Sequence, residues 1–155
     1  MNHSGSVSVA LVRGAVAGLG AVTAMTALMI LVSRSALGSG QSLPEEIETG
    51  VARRLGIERW VGGWLGAIIA YSFQLTLGTF VGALFGGLQH WRRLRTFPFA
   101  LWFGLGVYLL NSLVVGNLLL GILPPLWRQP QPLGLIRVLE HVFYGATLGA
   151  LFHRG

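Results

Sequence analysis

The chain contains no cysteine, no lysine and no aspartate. Without cysteine it can form no disulfide, hold no metal through thiolate and use no thiol nucleophile. Its only acids are five glutamates, at positions 45, 46, 48, 58 and 140. Charge of either sign is scarce: 10% of the 155 residues, against 53% hydrophobic. A soluble domain carries about a quarter charged residues. So few charges cannot cover a water-exposed surface, and lipid is the implied solvent for much of the chain. The net charge of +6 is carried by arginine. A basic balance can signal nucleic acid. Here most arginines close apolar runs, where they anchor helices near lipid headgroups, and no nucleic-acid-binding motif accompanies them. The bilayer is the partner implied, and nucleic acid is not.

What is abundant is glycine, 23 residues, set in long apolar stretches. The first runs uncharged from Gly14 to Ser33 between Arg13 and Arg34. It is long enough to cross a hydrocarbon core of about 30 Å. A cleaved signal peptide is the rival reading, with small residues at Ala36-Leu37-Gly38. The run exceeds a typical signal core of roughly 7–15 residues and lacks a basic opening, so a retained span over about 12–33 is expected. The second stretch runs from Trp60 to Gln89, with its span at 65–88 and a break at Gly62-Gly63. The third runs from Thr96 to Trp127, with its span at 99–122, ended by Pro124-Pro125. The fourth, 133–153, holds Arg137, Glu140 and His141.

Between the first two spans, Ser42-Leu43-Pro44-Glu45 reads as a helix start with a capping box. Ile47, Val51 and Leu55 follow at every fourth residue, with acids early and arginines late, as the helix dipole favours. This predicts an amphipathic helix over 43–56, lying on the membrane surface or packed on the bundle. The expected fold is therefore an all-α membrane protein. It is one domain over 1–155, a bundle of four transmembrane helices plus a short interfacial helix. Arg92, Arg93 and Arg95 crowd the turn between spans two and three, with Arg13 and Arg154 on the same side. The positive-inside rule then favours cytoplasmic termini.

Gly78-Thr79-Phe80-Val81-Gly82-Ala83-Leu84-Phe85 and Gly145-Ala146-Thr147-Leu148-Gly149-Ala150-Leu151-Phe152 both read GxxxGALF. Leu43-Pro44 precedes one copy and Leu123-Pro124 the other. The pattern suggests a duplication, two helical hairpins in parallel order. Gly78, Gly82 and Gly86 continue a four-residue stripe from Gly62, Gly66, Ala70 and Gln74. Gly145 and Gly149 continue one from Arg137 and His141. Such glycine zippers let helix backbones approach closely, so these five glycines are the candidate packing residues. A lipid- or cofactor-lined groove is the alternative.

Aligning the copies sets Gln74 opposite His141, which predicts a hydrogen bond across the helix pair. The candidate polar cluster is Arg137, Glu140, His141 and Tyr144, together with Gln74. An ionisable group inside a membrane is a functional candidate, and Glu140 with His141 could relay protons or bind a cation. The competing reading is an internal Arg137–Glu140 salt bridge with His141 bonded to a neighbouring helix. Other chemistry finds no support. Haem commonly needs two facing histidines, and only His141 lies inside. Zinc needs three or four ligands in one place. No phosphate-binding loop is present. Neither cofactor, metal nor enzymatic activity is expected.

The order of landmarks is a Gly-rich first span, Leu-Pro-Glu-Glu-Ile (43–47), Arg53-Arg54-Leu55-Gly56, a GxxxGALFG span, Leu123-Pro124-Pro125, then His141-Val142-Phe143-Tyr144-Gly145. It resembles the YagU-like group of uncharacterised bacterial inner-membrane proteins, over about residues 10–153. That group often has Pro-Pro-Arg where this chain has Pro44-Glu45-Glu46, and His where Gln74 stands. The resemblance implies a multi-pass protein of the bacterial inner membrane and brings no reaction with it. The function expected is that of a structural or accessory subunit, packing with itself or in a larger membrane complex. The alternative is a small transporter or proton-linked channel using Glu140 and His141.

Overall fold

The computed structural model describes residues 6–35, 42–61, 63–92, 95–112, 117, 121, 128 and 133–154. Among them the regular structure is helical: α1 (Val7–Ser33), α2 (Leu43–Leu55), α3 (Glu58–Val61), α4 (Trp64–Arg92), α5 (Thr96–Leu109) and α6 (Leu133–Arg154). Among the described residues three helices are long and apolar enough to cross a membrane: α1, α4 and, over Gly134–His153, α6. The third expected span, 99–122, is described only in its first half. α5 is a 14-residue α-helix, followed by a π-helical turn at 110–112 and 117. At 1.5 Å per residue it extends roughly 21 Å, short of the roughly 30 Å a span needs. Pro124 and Pro125, the expected stop, lie outside the described residues.

Local chemistry explains the ends. The Ser6 hydroxyl accepts from the Val9 amide at 3.4 Å and starts α1. The Ser42 amide donates to Glu45 Oε2 at 2.7 Å, closing the first turn of α2. Gly56 ends α2 at φ +69°, and Gly63, at φ +70°, separates α3 from α4; both lie in the left-handed region that favours glycine. Thr23, Thr76 and Thr79 each return their hydroxyl to the carbonyl four residues back. This satisfies polar groups that lipid cannot. Trp64 and Trp91 are exposed at the two ends of α4. They stand roughly 40 Å apart by helical rise, a spacing that matches the bilayer with its headgroup layers.

α1 packs chiefly on α4, and α5 on α6, with α1 also against α6 and α2 against α4. The α1–α4 seam is backbone on backbone. A methyl placed on Gly82 would come within 2.5 Å of Gly18 Cα, and one on Gly18 within 2.7 Å of Gly82 Cα. Gly86 meets Ala10, and Gly78 meets Val22. The second motif packs on α5 in the same manner: Gly145 against Ala100 and Leu101, Gly149 against Ala100 and Phe97. Phe85, fully buried, gathers Phe99, Phe103 and Phe152 around it at ring separations of 5.5, 5.3 and 5.3 Å. Phe85 and Phe152 are the last residues of the two GxxxGALF segments.

Candidate functional site

The glycine stripe of α4 serves two neighbours in turn. From Gly78 to Gly86 it lies against α1. Further toward the N-terminus of α4, larger residues face it from α1: Val22, Met25 and Met29. There the seam gives way to a cavity of about 500 Å³, a volume within the range of small-molecule sites. Ala70, Phe73, Gln74 and Leu77 of α4 form one wall. Val107, Asn111, His141 and Tyr144 supply the opposite one. Pro44, Ile47, Glu48, Val51 and Ala52 of α2 complete the lining.

α2 therefore packs on the bundle, the second of the two placements its pattern allowed. Ile47 and Val51 turn into the cavity, whereas Leu55, third in the same series, is 65% exposed. Several polar contacts hold α2 in place. The Ser42 hydroxyl lies 3.0 Å from the Tyr71 hydroxyl of α4 and 3.0 Å from Glu45 Oε2. Burial pushes the Glu45 carboxyl up, but the Ser42 amide and hydroxyl, the Tyr71 hydroxyl and Arg34 outweigh it. The group titrates below its ordinary value. The Glu48 carboxylate lies over Gly66, with both oxygens 2.8 Å from where a methyl would stand.

The polar cluster of α6 is arranged differently from expectation. Arg137, buried, donates to Glu46 of α2, not to Glu140. Three residues along one helix allow a pair, but a carboxylate arriving from α2 takes the guanidinium instead. Arg137 is buried and Glu46 is about a quarter exposed, so solvent screens the pair only in part. The pair fastens α2 to α6 across the cavity. Glu140 is buried and is not among the cavity-lining residues. His141 is 3% exposed and lines the cavity, with Nδ1 2.9 Å from the Arg137 carbonyl oxygen and its ring 5.2 Å from that of Tyr108. The Tyr144 hydroxyl donates to the Gly78 carbonyl at 3.0 Å, tying α6 to the first glycine of the α4 motif.

Gln74 and His141 border the same cavity but do not bond to each other. The Gln74 amide donates to Thr26 Oγ1 at 3.3 Å and Met29 Sδ at 3.1 Å, both on α1. The nearer helix captures it, since the α1–α4 seam leaves these groups within reach. Sequence reasoning missed Glu46 and Glu48, which were read only as helix-dipole acids, and missed Thr26, Met25 and Met29 on α1. The four-residue spacing of Ile47 and Val51 was the one signal that pointed at the roof. Among the described residues no group of three or more His or Glu side chains is placed to hold a metal ion. No family model, curated protein or solved structure matches this chain.

Proposed function

We propose that this chain is a non-enzymatic, multi-pass protein of the bacterial inner membrane that holds an apolar small molecule in the cavity beneath α2. The observation that carries the reading is the cavity itself: about 500 Å³, bounded mostly by hydrocarbon, with a few polar groups on its wall. Ligand sites have this composition. The ion pair between α2 and α6 supports it further, because it holds α2 against the cavity. The likeness to the YagU-like proteins in the order of motifs supports the membrane setting.

The accessory-subunit reading draws less support. The glycines that suggested an external partner are occupied within the chain, so any association with a second copy or a larger complex uses other surfaces. The proton path through Glu140 also draws less, because His141 borders the cavity and Glu140 does not. Two like hairpins remain the simplest origin for a chain in which Phe85 and Phe152, the ends of matching segments, meet in the core.

Mass spectrometry of the protein released intact from nanodiscs tests the ligand reading. The wild type is expected to retain an apolar molecule at one per chain. Ala70→Phe, which fills the cavity, is expected to lose it with helicity unchanged. Equal retention by the two proteins would overturn the assignment.

A further inference from the structure

The wall of the cavity is chemically one-sided. The Nδ1 of His141 faces the Arg137 carbonyl at 2.9 Å. A carbonyl only accepts, so Nδ1 carries the proton and the neutral ring presents the Nε2 lone pair. No described residue donates to Nε2. Gln74 spends its amide hydrogens on Thr26 and Met29, which leaves its carbonyl oxygen. Glu48 offers only acceptor oxygens. Tyr144 has given its hydroxyl hydrogen to Gly78. Asn111 alone among the polar lining residues keeps both a donor and an acceptor.

We propose that the occupant is an uncharged apolar molecule bearing a hydroxyl, in the class of long-chain alcohols and phenols. Its O–H donates to His141 Nε2, and its hydrocarbon lies along Met25, Met29, Phe73 and Leu77. The proposal rests on the reading of the cavity as a ligand site. A carboxylate or phosphate head would bring negative charge to a wall that holds the Glu48 carboxylate and supplies lone pairs. A methyl ether of the same length would fit the space but leave the buried acceptor without a proton, which is unfavourable in an apolar setting.

The test is competition against a fluorescent alkyl probe, with the full-length protein in phosphatidylcholine nanodiscs. The competitors are dodecanol, its methyl ether and dodecanoate. Dodecanol is expected to bind roughly tenfold more tightly than either of the others, the factor expected for one buried hydrogen bond. His141→Phe is expected to bind all three within about twofold of one another. Gln74→Leu, at a second acceptor, is expected to narrow the preference only in part. Equal binding of the three by the wild type, or tightest binding of dodecanoate, would overturn the head-group assignment while leaving a ligand site in place. A preference that survives in His141→Phe would overturn the role given to His141. Failure of the probe and all three competitors to bind would overturn the ligand reading, and this proposal with it. If His141→Phe does not fold, the wild-type series decides the head group and Gln74→Leu decides the wall.

Discussion

A single methyl group separates a tolerated glycine from an intolerant one. At Gly82 an added Cβ would press within 2.5 Å of Gly18 Cα, where the neighbour is backbone and cannot turn aside. At Gly106 it would meet nothing within 4 Å. Gly82→Ala is therefore expected to destabilise the protein by about 1–3 kcal/mol, the usual cost of overpacking. Gly106→Ala is expected to be neutral, or to stabilise by roughly 0.5–1 kcal/mol through reduced backbone freedom. Thermal unfolding of both variants in the same detergent measures the difference. A Gly82→Ala chain that melts with the wild type would show the seam to be looser than described. The glycines were legible at this scale because a four-residue repeat of small residues has few uses in an apolar helix. The partner of Arg137 was not legible. Spacing along α6 reveals which carboxylate is near in sequence, and Glu46, 91 positions away, is the one the fold delivers.

Among the elements, α2 shows where pattern reading stops. Its bounds, 43–56 by sequence and Leu43–Leu55 in the structure, follow from Ser42, Pro44, Glu45 and Gly56, all local signals. Periodicity also shows which face is apolar. It does not say what that face covers, since a bilayer surface and a cavity rim ask for the same residues. The roof is also the part of the molecule with a readable dependence on pH. The folded state lowers the Glu45 pKa below its ordinary 4.5. Its stabilising contribution is thus fully present above that value and is lost as pH falls through the lowered folded value. The stability advantage of wild type over Glu45→Gln is expected to be constant from neutral pH down to about 5 and to shrink below it. Unfolding midpoints of the two proteins from pH 7 to pH 3 measure it. A gap that widens on acidification would reverse the sign and contradict the Ser42–Glu45 geometry.

For the whole molecule, the order of contacts fixes which ends lie together. Arg13 donates to the Phe152 carbonyl at 2.5 Å and rests 4.8 Å above the Phe152 ring. Gly86 meets Ala10, and Gly149 meets Phe97. The start of α1, the end of α4, the start of α5 and the end of α6 therefore share one side, with Arg92 and Arg95 on it. Short basic turns stay in the cytoplasm. A reporter fused at either terminus is expected to be active only in its cytoplasmic form, and one inserted between positions 36 and 41 only in its external form. The opposite pattern would invert the protein. The course of α1, α4 and α6, with α4 and α6 running the same way and α1 against both, was legible from the order of the apolar runs. The course of the third stretch was not, because length and hydropathy alone do not reveal that the α-helical turn changes at 110–112.

The glycine seam has a mechanical consequence. α1 and α4 touch through their backbones at the end nearest the termini and are spaced by side chains beside the cavity, where the Gln74 amide still reaches Thr26 and Met29. Helices joined this way behave like the arms of tongs gripped at the joint. The joint has no compressible side chains, so a change in their mutual tilt barely alters the seam and is magnified along the arms. It becomes a change in the width of the mouth under α2.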